Sequence, residues 1–464
     1  MPPALALILT LTAIAGLLWR EARKSPQVSG ALWLPVIWIF LVSSKFVGQW
    51  LATLGLTSER AVSMEDGSPI DAVVFLALIV AGAVVLARRG VTPGRIIAQN
   101  KFVAIFLLYC LISIAWSDFP LVALRRWVKV LGHPIMALVI LSGFDPIDNL
   151  RRVIKRTAIL YVPLSVLCLK YYPEIGRGFD AWTGQATNRG ISHNKNELGY
   201  ACLFFGLGLF WSFLYERRGG QPAAGREDKI LSLALLALVG WLLMRADSAT
   251  SLACLVLGVA TIVGLGMPFV RRRFVWAYVI AVALSALAGE TLFGISEQVF
   301  ALLGRNSTLT DRTEVWADLM AMKINPIIGT GFESFWLGPR LEAMWARWWW
   351  QPNQAHNGYI ETYLNLGWVG VALLIGVILT TFVKAQRTLL EKFDLGRFRM
   401  AWLFVILAYN YTEATFKGVH LLWTVFHIIA LDALVHGAAQ RTVRRKAAQT
   451  PPRFDSRGGL GQSA

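Results

Sequence analysis

The chain has 464 residues, 56% of them hydrophobic and only 16% charged, with a formal net charge of +17. Soluble domains are roughly 45–50% apolar and about 25% charged, so this composition excludes an ordinary soluble protein and predicts one embedded in a lipid bilayer. In a soluble protein the positive charge would suggest a nucleic-acid partner, but here its placement indicates membrane topology, and we expect no nucleic acid.

Apolar runs follow one another along the chain and predict membrane-spanning helices. A run of about 18 apolar residues crosses a hydrocarbon core of roughly 30 Å as a helix, and a bilayer leaves the backbone no other partner. The predicted spans, in chain order, are 4–19, 31–51, 70–87, 101–116, 121–142, 154–171, 197–214, 230–244, 249–268, 273–289, 358–383, 400–415 and 419–437. We therefore expect an all-α, polytopic membrane protein of about 12–13 transmembrane helices with one large extracytoplasmic loop.

The basic residues are concentrated in every second connection between these spans. The positive-inside rule assigns such connections to the cytoplasm, and with them the C-terminus. This set holds 29 of the 45 lysines and arginines: Arg20, Arg23, Lys24, Arg88, Arg89, Arg95, Lys101, Arg151, Arg152, Lys155, Arg156, Arg217, Arg218, Arg226, Lys229, Arg271, Arg272, Arg273, Lys384, Arg387, Lys392, Arg397, Arg399, Arg441, Arg444, Arg445, Lys446, Arg453 and Arg457. The opposite, extracytoplasmic connections are 52–69, 117–120, 172–196, 245–248, 290–357 and 416–418.

The longest extracytoplasmic connection, 290–357, has features of a folded segment. Asp311 and Glu314 have the spacing of a capping box, and apolar residues at helical spacing predict an amphipathic helix over 312–323 on the membrane surface. The tryptophans that follow could stack on sugar rings or form an interfacial aromatic belt: Trp336, Trp345, Trp348, Trp349 and Trp350. We interpret 1–445, this loop included, as a single domain and 446–464 as a disordered cytoplasmic tail.

Several basic residues remain outside the cytoplasmic connections. A cation near hydrocarbon costs about 2.5–3.5 kcal/mol at mid-span, so it normally has a partner or a function. As a group these residues are consistent with a cradle for a diphosphate, which arginine binds in bidentate fashion. The alternative is snorkelling to lipid headgroups or pairing with nearby aspartates. The residues are Arg125, Arg126, Lys129, Arg189, Lys195, Arg245 and Arg312.

His356 stands where the large loop enters the predicted span 358–383. A neutral imidazole at this position could accept a proton from a sugar hydroxyl, although an interfacial histidine that caps the helix is the alternative. His193 presents the same choice. We interpret His133 and the histidines of the last span, His420, His427 and His436, as packing residues.

Three segments of the chain carry recognisable motifs. The first comprises TLTDRTEVW (308–316), NPIIGTGFESF (325–335) and HNGYIETYLNLGWVG (356–370), in which ten residues separate His356 from Gly367. The second is RGISHNKNELG (189–199), and the third is the Ser/Thr-rich RADSATSLACLVLG (245–258). Together they resemble the O-antigen ligase and polysaccharide polymerase superfamily of bacterial membrane glycosyltransferases, in which the slot of Ala249 often holds arginine.

The resemblance implies a periplasmic glycosyltransferase of the bacterial inner membrane. Members of the family transfer a glycan from undecaprenyl diphosphate to an acceptor glycan or lipopolysaccharide core, without a nucleotide sugar or a required metal or cofactor. His356 would then be the base that activates the acceptor hydroxyl, and Arg189 and Arg312 would hold the diphosphate. Further expected diphosphate contacts are Arg245, Lys195, Arg125 and Arg126, and the expected supporting residues are Asn196, Asn357, Glu361 and Gly367.

Two other function classes remain open from the sequence. A lipid-oligosaccharide flippase or secondary transporter would fit the hydropathy, but the chain has no internal repeat or paired broken spans, and transport does not need a large one-sided loop. A metal-dependent glycosyltransferase would need an acidic pair in the first outer loop, for which Glu65 and Asp66 are the candidates. Within the leading class, 308–316 and 325–335 are more similar to exopolysaccharide polymerases than to ligases.

Overall fold

The computed structural model describes residues 1–24, 29–57, 68–180, 184–217, 226–293 and 312–433. Several predicted features lie outside these ranges: the acidic pair Glu65 and Asp66, the N-cap Asp311, the last histidine His436 and the tail 446–464.

Helices make up most of the described chain, which confirms the all-α prediction. They are α1 (Pro3–Lys24), α2 (Trp33–Ser43), α3 (Val47–Thr53), α4 (Pro69–Arg88), α5 (Pro93–Gln99), α6 (Lys101–Ile112), α7 (Pro120–Val130), α8 (Gly132–Leu141), α9 (Pro146–Tyr171), α10 (Pro173–Gly176), α11 (Lys195–Arg217), α12 (Arg226–Ala246), α13 (Ala249–Gly264), α14 (Val275–Phe293), α15 (Arg312–Ala321), α16 (Gly338–Arg347), α17 (Gly358–Glu391), α18 (Phe393–Thr412) and α19 (Leu421–Ala430). Short 3-10 helices lie at Gly30–Leu32, Ser113–Trp116 and Arg272–Phe274. One antiparallel hairpin pairs β1 (Arg177–Phe179) with β2 (Ala186–Asn188).

Within the described residues, each predicted span lies mainly on one helix or on consecutive helices. Within the described residues, five helices are long and apolar enough to cross a membrane, or up to seven if each bent pair counts as one span. The five are Pro3–Arg23, Pro69–Arg88, Lys195–Glu216, Arg226–Ala246 and Gly358–Glu391. A multi-pass membrane protein is therefore confirmed, whereas the number of about a dozen spans stays a prediction.

The predicted span 31–51 is not one continuous helix. It consists of Gly30–Ser43 and Val47–Thr53, which meet at a bend of 59°. Ser44 is extended (φ −120°, ψ −153°), so the helix ends there. Because the break leaves carbonyls without helical partners, Ser192 Oγ donates to Ser43 O at 2.9 Å. Tertiary contacts of this kind, which hydropathy does not report, stabilise a break inside an apolar run.

A second bend of 109° separates Pro93–Gln99 from Lys101–Trp116. Asn100 holds it, with a non-helical backbone (φ −130°, ψ 44°) and a side-chain amide that donates to Asp432 O at 3.0 Å. The amide oxygen of Asn100 accepts from Asp432 N at 2.9 Å and Lys384 Nζ at 2.6 Å. One buried side chain therefore joins the bend to the end of α19 and to α17.

The core of the bundle lies around α11. In the apolar stretch of this helix, 78% is buried inside the protein. This helix packs against α9, α12 and α13, and α18 packs against α13 and α17. Aromatic contacts join α11 to α18. The rings of Trp211 and Phe398 lie 4.5 Å apart, and those of Phe204 and Trp402 lie 6.0 Å apart. This packing holds the ends of α11, α13, α17 and α18 near one another.

The described part of the large loop has a small hydrophobic core of its own. The predicted amphipathic helix is present as α15, but its buried Val315 and Leu319 pack against Phe335 and Trp336 and are not the membrane-facing residues that the sequence suggested. Most of the tryptophan cluster packs on this core as well: Trp336, Trp345, Trp348 and Trp350. Trp349 is 63% exposed. The sequence analysis considered sugar stacking and an aromatic belt for these tryptophans, and it did not predict that they pack on a core of the loop itself.

Candidate active site

His356 lies at the junction between the large loop and α17. The next residue, Asn357, caps the helix, since its side-chain oxygen accepts from Tyr359 N at 3.0 Å and Ile360 N at 3.1 Å. The amide nitrogen of Asn357 donates to Tyr411 O at 3.2 Å, which ties the helix start to the end of α18. This hydrogen bonding fixes the backbone on one side of His356.

The backbone of His356 is in the left-handed region (φ 49°), which is uncommon for a residue other than glycine. The preceding residue, Ala355, is held at both ends: its N–H donates to Glu361 Oε2 at 2.9 Å and its carbonyl accepts from Trp316 Nε1 at 2.7 Å. Glu361 is 3% exposed and also accepts from Trp336 Nε1 at 3.1 Å. Strained backbone of this kind persists where its surroundings over-determine it, often at functional sites.

One carboxylate joins His356 to Arg312. His356 Nδ1 lies 3.0 Å from Glu413 Oε2, and Arg312 Nη2 donates to Glu413 Oε1 at 2.9 Å. A second Arg312 nitrogen donates to the carbonyl of Thr412, the last residue of α18. The predicted base, His356, and the predicted diphosphate contact, Arg312, therefore each bind one carboxylate oxygen of Glu413.

Glu413 is ionised at neutral pH. Burial by itself would raise the pKa of its carboxyl group, but the charges and hydrogen bonds of His356 and Arg312 outweigh burial and lower the pKa to about 2. An ionised carboxylate only accepts hydrogen bonds, so the proton between the two side chains is on His356 Nδ1, and the Nε2 atom is left to face a substrate. Within the described chain, His356 Nε2 has no hydrogen-bond partner.

Sequence reasoning missed Glu413. The residue was placed inside the predicted span 400–415, whereas the helix ends at Thr412 and Glu413 is extended (φ −144°, ψ 151°). A signal was present, because an acid at the end of an apolar span needs a cationic partner. The identity of that partner depends on contacts across about a hundred residues of chain, since Arg312 and Glu413 are 101 positions apart.

Gly367 explains the spacing between the histidine and the glycine. It interrupts α17 with φ 63° and ψ −167°, and a Cβ there would lie 2.3 Å from Ile327 C and O. At this break the backbone pairs with the loop: Trp368 N donates to Pro326 O at 2.9 Å, and Val369 N donates to Ile327 O at 3.1 Å. The segments 325–335 and 356–370 therefore form one unit, with His356 at one end of a helical stretch and the break at the other.

The second motif forms a neighbouring cluster. Arg189 Nε donates to Ile175 O at 3.0 Å, and its Nη2 donates to Glu174 O at 3.0 Å. Lys195 pairs with Asp180 at 2.9 Å. Both predicted diphosphate contacts, Arg189 and Lys195, therefore already bind partners within residues 173–195.

His193 has an acidic partner of its own. Its Nδ1 lies 2.7 Å from Glu197 Oε2, and its Nε2 contacts Gln49. Unlike His356, it has hydrogen-bond partners on both ring nitrogens. Asn196, a predicted supporting residue, is half-buried on the first turn of α11.

The three motifs meet through small residues. A Cβ on Gly199 would lie 2.6 Å from Ser248 Cβ, so the second motif packs directly on the Ser/Thr-rich turn. From that turn, Thr250 Oγ1 lies 3.5 Å from Thr412 Oγ1, next to Glu413. On the other side of Glu413, His420 lies 4.6 Å from the ring of Tyr200 in α11. The segments chosen from sequence thus surround the 412–420 connection.

Comparison with known proteins bears on the resemblance inferred from the motifs. Residues 231–375 match the family described as O-antigen ligase. The chain is also 28% identical over 315 residues to the exopolysaccharide production protein ExoQ of Rhizobium meliloti (strain 1021), covering 64% of this chain and 67% of that protein. These matches support the resemblance to the O-antigen ligase and polymerase superfamily. The resemblance inferred from the motifs is confirmed.

The family match covers only part of the candidate site. It contains Arg312, His356 and Gly367, whereas Glu413 and the Arg189 motif lie outside residues 231–375. The shared region therefore holds the loop and the break in α17, and the carboxylate that joins His356 to Arg312 comes from beyond it.

Among the described residues, none of the remaining predicted cations is hydrogen-bonded to His356. Arg245 lies over the ring of Trp241, 5.4 Å from its centroid. Arg126 donates to Glu333 O, and Arg125 is exposed on α7. Their roles, like those of the other predicted site residues, stay predictions.

Proposed function

We propose that this protein is a membrane glycosyltransferase that moves a glycan from undecaprenyl diphosphate to a saccharide acceptor on the periplasmic face of the bacterial inner membrane. The observation that carries the proposal is the cluster in which Glu413 holds both His356 Nδ1 and the Arg312 guanidinium. The distribution of basic residues favours a periplasmic location for this cluster and a cytoplasmic C-terminus.

The cluster suits transfer from a lipid diphosphate. The acceptor hydroxyl oxygen attacks the anomeric carbon, and a new carbon–oxygen bond forms while the bond between that carbon and the diphosphate oxygen breaks. The hydroxyl proton passes to His356 Nε2, and the diphosphate leaves with the bonding electron pair. Glu413 keeps His356 in the required tautomer and stabilises the imidazolium that forms, as carboxylates do for catalytic histidines.

Arg312 would stabilise the leaving diphosphate. A guanidinium has five N–H donors, of which Glu413 and Thr412 occupy part, so donors remain for a phosphate oxygen. Preorganised positive charge at a leaving group is an efficient form of catalysis because it needs no reorganisation during the reaction. The other predicted diphosphate contacts, Arg189, Lys195, Arg245, Arg125 and Arg126, would lie along the path of the lipid carrier.

We favour a polysaccharide polymerase over a ligase. The name of the similar Rhizobium protein refers to exopolysaccharide production, and the loop motifs resemble the polymerase branch. The acceptor would then be a growing glycan, and for a ligase it would be a lipopolysaccharide core.

A flippase for lipid-linked oligosaccharides is the second candidate. The bends at residues 44–46 and 100 support it, since broken spans are common at transport sites. Transport would move substrate without forming a glycosidic bond, which separates it from the leading proposal.

The proposal is tested by replacing His356. His356→Ala removes the base, and His356→Asn does so with a residue that tolerates the left-handed backbone. We expect both variants to insert normally and to lose at least about a hundredfold of their glycan-transfer rate, the usual contribution of a general base. The measurement is long-chain polysaccharide in cells that carry each variant, with protein level determined in the membrane fraction.

The matched control is Gln351→Asn, which alters another left-handed position (φ 52°) of the same loop and should leave transfer unchanged. Wild-type amounts of long-chain polysaccharide in either His356 variant would contradict the proposal.

A further inference from the structure

Glu333 is an acid in the loop segment 325–335 for which the sequence predicts no function. Its backbone is in the left-handed region (φ 53°), which is uncommon for a residue other than glycine and persists where the surroundings hold it. The carbonyl of Glu333 accepts a hydrogen bond from Arg126 of α7. The N–H of the next residue, Ser334, donates to Asn365 Oδ1 of α17 at 2.9 Å. The position of Glu333 is therefore fixed from two helices.

The side chain of Glu333 reaches the 412–420 connection. Its Oε1 accepts a hydrogen bond from Gly418 N at 2.6 Å, although the two residues are 85 positions apart. Gly418 is also left-handed (φ 45°), and a Cβ atom there would lie 3.5 Å from Glu333 Oε2. Hydrogen bonds to an ionised acceptor are stronger than those between neutral groups. The loop segment thus holds one end of the connection that carries Glu413.

A histidine holds the other side of the same glycine. His133 Nε2 lies 2.9 Å from Gly418 O, and because a carbonyl only accepts, the proton of this hydrogen bond is on Nε2. The other ring nitrogen, Nδ1, lies 2.7 Å from Thr424 Oγ1 of α19. The indole nitrogen of Trp38 donates to the same hydroxyl at 3.2 Å. Side chains from outside the connection therefore engage both backbone polar groups of Gly418.

Further hydrogen bonds carry this position back to Glu413. Asn410 Oδ1 accepts from Thr415 N at 2.9 Å and from Phe416 N at 3.2 Å, so the backbone between Glu413 and Gly418 is held as well. The accuracy matters because the two oxygens of Glu413 bind two different side chains of the candidate active site. Misplacement of a catalytic group by about 1 Å can lower a rate by about a hundredfold.

We propose that Glu333 is a positioning residue: by holding Gly418, it keeps Glu413 where its carboxylate binds both the base and the arginine of the candidate active site. The inference rests on the proposed function for its catalytic consequence. It gives the segment 325–335 a task that does not require contact with substrate. Arg126 supports this task because it holds the carbonyl of Glu333.

The test compares three substitutions in full-length protein in nanodiscs of phosphatidylcholine. Glu333→Ala removes the acceptor, Glu333→Asp keeps the charge but shortens the side chain by one methylene, and Glu333→Gln keeps an acceptor oxygen without the charge. The first readout is hydrogen–deuterium exchange of the peptide that contains Gly418. We expect exchange at least about tenfold faster in the alanine and aspartate variants, the size of one lost charge-assisted hydrogen bond, and within about threefold of wild type in the glutamine variant.

Glycan transfer is the second readout and should follow the same order. We expect kcat to fall about ten- to hundredfold in Glu333→Ala and Glu333→Asp, and Glu333→Gln to restore most of it, because the acceptor atom and not the charge holds Gly418. The matched control is Glu342→Ala, which removes an exposed acid on α16 of the same loop and should change neither readout. Thermal unfolding verifies that each variant is folded, and Glu333→Asp decides the test if Glu333→Ala does not fold.

Unchanged exchange of the Gly418 peptide in the alanine and aspartate variants would overturn the inference, as would a Glu333→Gln variant as impaired as the other two. Faster exchange with undiminished transfer would also overturn it, since Glu413 would then be held without Glu333. If the wild-type protein forms no glycosidic bond, the proposed function is overturned, and the exchange data still decide whether Glu333 holds the connection.

Discussion

At the scale of single residues, the site depends on an acid that no motif contains. Glu413 determines which nitrogen of His356 carries the proton and neutralises part of the charge of Arg312. His356 could be predicted because it begins a recognisable segment, and Glu361 because it lies five residues further along the same segment. Glu413 could not be paired with either from sequence, since only the packing of α17 against α18 brings it there.

The charge of Glu413 predicts a pH dependence of stability. Its pKa is lowered from about 4.5 to about 2 by His356 and Arg312, against the effect of burial. Because the pKa is depressed in the folded state, the stabilisation is complete above about pH 4.5 and is lost as the pH falls towards 2. We expect Glu413→Gln to unfold at a lower temperature than wild type at neutral pH, with the difference shrinking between pH 4.5 and pH 2.

The measurement is thermal unfolding of purified protein in detergent across this pH range. Glu342→Gln is the control, since Glu342 is exposed on α16 and should follow the wild-type curve. A Glu413→Gln variant whose difference from wild type stayed constant between pH 2 and pH 6 would show that this ion pair does not stabilise the fold.

At the scale of elements, the break in α17 fixes the position of His356 relative to the loop. Only a glycine fits at 367, because its φ of 63° is left-handed and a side chain would meet the backbone of Ile327. The sequence predicted the importance of this glycine through the family spacing, but the reason is the backbone pairing between 325–331 and 364–369.

Gly367→Ala should therefore destabilise the protein by at least about 1–3 kcal/mol, the range for strained backbone. Gly240→Ala is the matched control. Gly240 lies within α12 with open space around its Cβ position, so alanine should be neutral or slightly stabilising there. The measurement is the thermal unfolding temperature of both variants, and equal shifts for the two would contradict the assigned role of the break.

Other elements mark the limits of reading hydropathy. The break at Ser44 and Lys45 lies within an apolar run that is long enough for one span. The three polar residues 43–45 interrupt the run and were a visible sign of the break. Helix α16 was not predicted, because the tryptophans of this segment were interpreted only as sugar-stacking or interfacial residues. A helix-start signal was nevertheless present, since Pro339 lies in the first turn. In both cases, the signal was present but tertiary packing decided its meaning.

At the scale of the whole molecule, composition and the order of apolar runs were sufficient to predict an all-α membrane protein. In the part of the chain that the structure describes, the apolar runs lie on helices because lipid permits little else. The described part of the loop 290–357 behaves differently, since a hydrophobic core of its own stabilises it and presents Arg312 to Glu413. Distances between segments that are far apart in sequence could not be predicted, and the catalytic proposal depends on them.

The most direct test of the account is glycan transfer by the purified chain. The protein is reconstituted with an undecaprenyl-diphosphate oligosaccharide and an acceptor glycan, with and without a chelator, and the length of the product is measured. We predict new glycosidic bonds, chelator-resistant activity and products that lengthen with time, as expected of a metal-independent polymerase. Movement of the lipid-linked substrate across the bilayer without any new glycosidic bond would contradict the account.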